Sequence, residues 1–471
     1  MTVPFSVMDR DTIAAIATPA GRGGIGIVRI SGPEAIPIAE ALFHPGAAPA
    51  EGRHPLASHR LYYGRLVDPA NGRLIDEVLM AVMRAPRSYT REDVAEIHAH
   101  AGPAVLQAIV DIVIRRGARL AEPGEFTRRA FLNGRIDLTE AEAVLDLINA
   151  RSEGARAAAA GGLDGRIRGR VIPVREALAD VLARLDAAID FPDEMDAMDD
   201  PSSAPFERLT DGALAPLDRL LEGEQAGRWL REGLRVVVAG RPNVGKSSLV
   251  NALIQEERAI VTPVPGTTRD AIDVPLDISG VSLILTDTAG LHSTEDPVER
   301  MGVERTRAYL SKADLVILTV AADEPLTPAD DAVYRAIGDR PAILAANKWD
   351  RLAAGDDLTI PAHWLIPVRV RTSATTGEGV AELRAAIQKD VVDRGLTDPE
   401  TGILPNIRQA SAIRKARDAA SRAADAMSAG MPAEVITIDI REAMDHIGTV
   451  TGETAGPDIL DRIFSRFCIG K

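Results

Sequence analysis

The chain is predicted to combine α/β and α architecture. An α+β domain opens it, and a phosphate-loop α/β domain is inserted into a helical domain, which is therefore discontinuous. Three observations carry this prediction. Residues 240–247 read G-R-P-N-V-G-K-S, directly after the apolar run 234–239 and before the helix-like run 248–253. Upstream of residue 133, short apolar runs alternate with glycine and proline turns. Leu178, Leu182, Leu185 and Ile189 recur at spacings of four, three and four, which is one face of a helix. At 471 residues, three domains is the ordinary expectation.

From the N-terminus, residues 11–18 and 26–30 read as short strands. They flank Gly21-Arg22-Gly23-Gly24, a loop too flexible for a helix. Residues 61–67 and 74–83 alternate as a hairpin, closed by the turn Asp68-Pro69-Ala70-Asn71-Gly72. Residues 94–114 read as a helix. His98 and His100 would then lie on opposite sides of it, in structural or solvated roles and not as metal ligands. Residues 138–161 and 171–189 are helical, and the second run stops at Asp190-Phe191-Pro192-Asp193-Glu194. Pro201-Ser202-Ser203-Ala204-Pro205 breaks the chain before a further helix to about Arg231. Asp398-Pro399-Glu400-Thr401-Gly402 marks the exit from the phosphate-loop unit, and helices return at 407–429 and 434–446. The simplest arrangement packs these tail helices beside the central ones. The domains are then 1–133, 134–232, 233–395 and 396–471, with the second and fourth forming one helical domain.

The motifs define a chemistry. In the phosphate loop, glycines let backbone N–H groups converge on phosphate oxygens at a helix N-terminus. Lys246 reaches the β- and γ-phosphates, Ser247 holds Mg²⁺, and Asn243, Val244, Gly245 and Ser248 complete the cradle. Asp287-Thr288-Ala289-Gly290 follows the apolar run 281–285. It is a D-x-x-G element, whose Asp serves the metal shell and whose Gly N–H senses the γ-phosphate. Asn347-Lys348-Trp349-Asp350 follows the apolar run 341–346. The Asp350 carboxylate accepts from the N1–H and exocyclic amine of guanine, a donor pair that adenine lacks. Ser373 and Ala374 resemble the last guanine-contacting loop. Four such strings in this order, each after a strand, indicate a GTPase of Ras-like fold and not an ATPase.

The hydrolytic apparatus departs from the Ras pattern. Leu291 stands where Ras-like proteins place the water-orienting Gln. Glu299 lies in the same segment, either as a solvated acid opening a helix or as the replacement. The segment Thr262-Pro263-Val264-Pro265-Gly266-Thr267-Thr268 carries Thr268, the natural second Mg²⁺ ligand. Its carbonyls, with Asn243, can form an oxygen cage for a monovalent cation. K⁺ there would stabilise developing charge as an arginine finger does.

Composition excludes several classes. No apolar run approaches the roughly 18 residues of a membrane span, and residues 1–11 lack the pattern of a signal peptide, so a cytoplasmic protein is expected. Cys468 is the only cysteine, which excludes an intrachain disulfide; it is either a buried small apolar residue or a reactive thiol. A net charge of −15 argues against phosphate-driven nucleic-acid binding over the whole surface, although a local basic patch remains compatible.

The chain resembles the MnmE (TrmE) family of tRNA-modification GTPases over essentially its full length. The carrying segments are Asp11-Thr12-Ile13 with the string 21–32, Pro123-Gly124-Glu125-Phe126-Thr127 with Arg129-Ala130-Phe131-Leu132-Asn133, and Ala188-Ile189-Asp190-Phe191-Pro192-Asp193-Glu194. The nucleotide motifs and the terminal Phe467-Cys468-Ile469-Gly470-Lys471 complete them. The resemblance implies an N-terminal domain that dimerises and binds a one-carbon derivative of tetrahydrofolate, and a helical domain carrying an inserted GTPase domain. It implies that Glu299 orients the attacking water and that Ser247 and Thr268 bind Mg²⁺. K⁺ would be held by Asn243, Thr262, Val264 and Thr267. The folate-contacting positions correspond to Arg29, Glu96, Arg135 and Lys471; Arg135 stands where other members carry Lys, keeping the charge with a different geometry.

The implied function is a K⁺-stimulated GTPase. With an FAD-dependent partner of the MnmG (GidA) type, in a heterotetramer, it would form the aminomethyl or carboxymethylaminomethyl group on carbon five of the tRNA wobble uridine. Arg166, Arg168, Arg170 and Arg175 are either tRNA-facing or a solvated helix face. The alternative is a ribosome-assembly GTPase of the Era or EngA type, which shares the nucleotide motifs but lacks this N-terminal domain and the C-I-G-K end.

Overall fold

The computed structural model describes residues 11–46, 56–191, 203–255, 273–278, 280–287, 308–353, 357–394 and 404–471. The chain divides into two compact units, Met1–Leu145 with Pro432–Lys471, and Asp146–Met431.

The first unit holds β1 (Ile13–Ile16), β2 (Gly26–Ser31), β3 (Phe43–Pro45), β4 (Leu61–Asp68), β5 (Arg73–Met83), β6 (Val94–Ala99) and β7 (Arg119–Leu120). They form one sheet in the order β3-β4-β5-β6-β2-β1-β7, antiparallel except where β7 joins β1. The expected hairpin is β4–β5. Its turn is held by the Ala70 N–H donating to Asp68 Oδ1 at 2.9 Å, and Gly72 takes φ 68°. Helices Ala35–Leu42 and Pro103–Arg115 bury Leu42, Ile109 and Val113 against Ile30, Leu66, Met80 and Ile97.

The helix expected over 94–114 is two elements. Residues 94–99 are strand β6, and the helix starts only at Pro103, after Gly102. Val94, Ile97 and the following apolar residues fit either period over so short a stretch, so pairing with β2 and β5 decides. His98 therefore shares a strand face with Glu96, two residues away.

The C-terminal segment belongs to this unit. Phe464 and Phe467 pack with Leu138, Ala141 and Phe131. The Phe126 N–H donates to the Lys471 carbonyl at 3.2 Å. Gly470 has φ 95°, and a Cβ there would lie 2.3 Å from the Ile16 carbonyl oxygen, so only glycine lets the chain end approach β1. Nearby, the guanidinium of Arg129 is 2 % exposed. It donates to Asp11 Oδ1 at 2.7 Å, to Glu125 Oε1 at 3.0 Å and to both Glu92 oxygens at 3.2 Å. Arg119 donates to Glu125 at 2.6 and 2.8 Å and to Asp11. Burial pushes the Glu125 carboxyl up, but Arg119, the Glu122 N–H and Arg129 outweigh it and hold the carboxyl below the usual range.

In the second unit β8 (Leu234–Ala239), β9 (Asp273–Ile278), β10 (Val281–Asp287), β11 (Leu315–Ala321), β12 (Ala342–Asn347) and β13 (Val368–Arg371) form a sheet ordered β13-β12-β11-β8-β10-β9. Only β9 runs antiparallel. The apolar runs read from the sequence are its central strands: β11 is buried at every residue, as a parallel strand covered on both faces must be. Ahead of this sheet, residues 138–161 form two helices, Leu138–Asn149 and Glu153–Leu163, because the Ser152 hydroxyl accepts from the Ala155 N–H and starts a new one. Helix Arg166–Asp190 buries Ile167, Val171, Val174, Leu178 and Val181, while Leu182, Leu185 and Ile189 are only partly covered. The helix expected after the break at 201–205 already starts at Ser203, inside that break, and is divided into Ser203–Leu209, a π-turn at Thr210–Leu214, Ala215–Glu222 and Glu224–Glu232. Helix Ile407–Ser428 packs on these through a stripe of small side chains, Ala410, Ala416, Ala419, Ala420 and Ala423, all fully buried. Arg417 Nε donates to Asp218 at 3.0 Å at its margin.

Arg129→Ala opens a buried gap, leaves Glu92 without its guanidinium and leaves Asp11 and Glu125 with the Arg119 guanidinium alone. It should destabilise the first unit by about 3–5 kcal/mol, read as an earlier first transition in urea unfolding of the full chain. An unshifted transition refutes the central role of this guanidinium.

Candidate functional site

The first constellation lies at the carboxyl ends of β8, β11 and β12, beside the position where strand order reverses, which is where open α/β sheets bind ligands. Strand β8 feeds the phosphate loop, and helix Lys246–Gln255 begins directly after it. Asn243 takes φ 67° and Gly245 φ 92°, so the backbone turns tightly into the helix. The Lys246 side chain is buried, and its Nζ donates to the carbonyls of Gly240 at 2.8 Å and Arg241 at 2.9 Å. This holds the cation within the loop. Ser247 and Ser248 are exposed on the first helical turn.

Asn347 ties this loop to the base-recognition side. It is fully enclosed, at 2 % exposure. Its Nδ2 donates to the Val244 carbonyl at 2.8 Å, and its Oδ1 accepts from the Ala374 N–H at 3.1 Å and the Thr372 hydroxyl at 3.4 Å. A Cβ on Gly245 would sit 2.3 Å from Asn347 Nδ2, so the glycine is required by this contact. Lys348 follows in a left-handed conformation at φ 61°. Asp350 is exposed on the next short turn. Ser373 is buried; its hydroxyl accepts from the Thr376 N–H at 3.2 Å and its N–H donates to the Glu378 carbonyl at 2.8 Å.

Asn243, Val244, Gly245, Lys246, Ser247, Asn347, Lys348, Asp350, Ser373 and Ala374 are thus gathered at one edge of one sheet. The backbone of Asp287 closes β10 in register with Val238 of β8. Thr262, Pro263, Val264, Pro265, Gly266, Thr267, Thr268, Thr288, Ala289, Gly290, Leu291 and Glu299 lie outside the described residues. Arg241, the arginine within the loop itself, is committed to Glu324 and to Asp330 at 3.2 Å.

The second constellation lies in the first unit. The β2–β6 register sets Arg29 directly opposite Glu96, and Arg29 Nε donates to Glu96 Oε1 at 2.8 Å. His98 Nε2 lies 3.2 Å from the other carboxylate oxygen. The hydrogen bond with His98 and the Arg29 guanidinium pull the Glu96 carboxyl down to about 2, against the upward push of burial. Arg29 also donates to the Gly470 carbonyl at 3.3 Å, next to Lys471. Two guanidinium groups approach the Tyr89 ring, Arg135 at 4.7 Å and Arg29 at 5.8 Å from its centroid. The four residues named from the family resemblance are therefore brought together, and Tyr89 and His98 join them. Tyr89 did not stand out in the sequence; His98 was noted there as a structural or solvated side chain, and its place beside Glu96 becomes visible only once residues 94–99 are a strand. The donor set, one paired carboxylate, two guanidinium groups and an aromatic face, fits a polar heteroaromatic ring with an anionic tail. Cys468 is exposed, and its carbonyl accepts from the Gly124 N–H at 3.4 Å.

Asn347→Ala deletes the link between the two nucleotide loops and leaves the Val244 carbonyl unpaired. The unit should lose about 1–3 kcal/mol, and GDP affinity should fall at least tenfold in fluorescence titration. Unchanged affinity refutes the linking role.

Two families match the chain. One described as "MnmE helical domain" covers residues 138–468, and one described as "GTP-binding protein TrmE N-terminus" covers residues 12–135. The chain is 46% identical over 473 residues to the tRNA modification GTPase MnmE of Synechococcus sp. (strain JA-3-3Ab), covering 100% of both chains. It is 48% identical to the protein of that name from Symbiobacterium thermophilum and 46% identical to the one from Chloroflexus aurantiacus, each over 98% of this chain and 100% of the relative. Matches of this extent include both constellations, and the chain belongs to the MnmE family of tRNA modification GTPases.

Proposed function

We propose that the chain hydrolyses GTP and, with an FAD-dependent partner of the MnmG type, forms the aminomethyl or carboxymethylaminomethyl group on carbon five of the tRNA wobble uridine. The observation that carries this reading is the pairing, in one chain, of a guanine-nucleotide site knitted by Asn347 with the Arg29–Glu96–Tyr89 cluster, where Arg29 also meets the Gly470 carbonyl.

GTP sits with its phosphates in the loop 240–247 and its base at Asp350, Ser373 and Ala374. Lys246 is already poised at the phosphate end, since its carbonyl partners can be exchanged for phosphate oxygens without moving the helix. Asp350 accepts both guanine donors, which adenine cannot satisfy. Ser247 and Thr268 would hold Mg²⁺, which would supply charge neutralisation to the phosphates. Asn243, Thr262, Val264 and Thr267 would hold K⁺, which would serve in place of an arginine finger. Arg241 is engaged elsewhere and does not take that role in cis. Glu299 orients the attacking water in the position that Leu291 cannot serve.

In the first unit, Arg29, Arg135 and Lys471 bind the anionic groups of a tetrahydrofolate derivative, and Glu96, ionised throughout the physiological range, accepts from its ring. The folate supplies the one-carbon unit. Leu61, Tyr63 and Leu79 lie on one exposed face of β4 and β5, which suits a homodimer interface. The site of action is cytoplasmic; no helix among the described residues is long and apolar enough to cross a membrane.

Nucleoside mass spectrometry of tRNA from cells lacking this chain should show loss of the wobble modification, restored by the wild type and not by Lys246→Ala. An unchanged profile would move the function to ribosome assembly. GTP hydrolysis should be faster in K⁺ than in Na⁺. Glu299→Ala should lower kcat about 100-fold or more while retaining GTP affinity, as expected for a group acting only in the transition state. Equal rates in both salts remove the cation from the mechanism.

A further inference from the structure

The phosphate loop and the base loop are joined by a second link, ionic and nearer the surface than Asn347. Arg241, the second residue of the loop, directs its guanidinium away from the cradle. It pairs with Glu324, in the segment after β11, and with Asp330 at 3.2 Å. Asp330 is buried. Its carboxylate accepts from the Thr327 N–H at 2.9 Å and hydroxyl at 2.8 Å, capping helix Pro328–Ile337. Arg241 is therefore anchored on one side by a rigid cap and reaches Glu324 on the other. The Arg241 carbonyl accepts from Lys246 Nζ, so the backbone of the same residue touches the phosphate-binding lysine.

Glu324 is shared. One oxygen meets Arg241, and the other lies 3.7 Å from Lys348 Nζ. Asp323 lies 3.8 Å from the same Nζ and 3.7 Å from Arg351. The contacts to Lys348 are longer than hydrogen bonds. They act as an electrostatic guide for a long side chain whose backbone is already held in a left-handed turn. Arg241 keeps Glu324 below the usual carboxylate range, so the guide stays charged. The full series runs from Asp330 through Arg241 and Glu324 to Lys348, from the phosphate end of the site to its base end.

We propose that Glu324 is a positioning residue for guanine-nucleotide binding, which with Arg241 holds Lys348 in place over the base and so couples the base end of the site to the phosphate loop. This rests on the nucleotide site proposed above. The coupling operates through binding, because nothing in it touches the reacting phosphorus.

The test is a double-mutant cycle on the full chain, reading the Kd of a fluorescent GDP analogue for wild type, Arg241→Gln, Glu324→Gln and the double variant. Each single change should weaken binding about three- to fivefold, the range of a partly exposed ion pair. The double variant should be no weaker than the weaker single, because both changes break one bridge. Raising the salt from low to high concentration should weaken wild-type binding more than Glu324→Gln binding. Glu324→Gln leaves the Asp330 cap intact and should not move the thermal midpoint, which separates positioning from lost stability. A Glu324→Gln Kd equal to that of wild type, or losses that multiply in the double variant, overturns the bridge alone. Absence of GDP binding by the wild type overturns the nucleotide site itself.

Discussion

The second unit depends on one enclosed side chain. Asn347 stands at the end of β12 and spends its amide on three partners in two other loops. A parallel sheet brings the carboxyl ends of its strands to one edge, but it does not by itself set the loops beyond them relative to one another. Once Asn347 is buried, its donors and acceptor must all be met, since an unpaired amide in the interior costs about 1–3 kcal/mol. That requirement fixes the phosphate loop, the base loop and the segment after β13 in one arrangement. Gly245 is the counterpart of this constraint, since no side chain fits between it and the Asn347 amide.

The first unit is organised by a comparable demand made with charge. Arg129 and Arg119 hold Glu92 and Glu125 in the interior and reach Asp11 at its partly exposed edge. Such a network is stabilising only when complete, so it orders strand β1, the loop before β6 and helix Glu125–Leu132 together. These same elements carry Tyr89 and Phe126, between which and the chain end Arg29 is set. The Arg29–Glu96–Tyr89 cluster is thus the margin of this ionic network.

The nucleotide site was legible in the sequence because each of its parts is a short contiguous string following an apolar run. Backbone conformations such as those at Asn243 and Gly245 are local properties, and a fully buried strand such as β11 advertises itself as an unbroken apolar segment. The hairpin β4–β5 was legible for the same local reason, in its alternation and its Asp68–Gly72 turn. Residues 94–99 were not. Six residues are too few to separate a period of two from one of 3.6, and pairing on both edges overrode the helical reading.

What the sequence determined by itself was the class of the domains, the order of the nucleotide motifs and the chemistry each motif can perform. The tertiary structure alone decided that Arg29 faces Glu96, that His98 shares that face, that both Arg29 and Arg135 approach the Tyr89 ring, and that Gly470 reaches Arg29 from 441 positions away. It alone decided that Arg241 turns from the phosphates toward Glu324. The physical reason is that motif chemistry follows from local backbone geometry, which neighbouring residues specify. Contacts between distant residues follow from strand register and from the closing of a buried polar network, which become defined only when the whole unit packs.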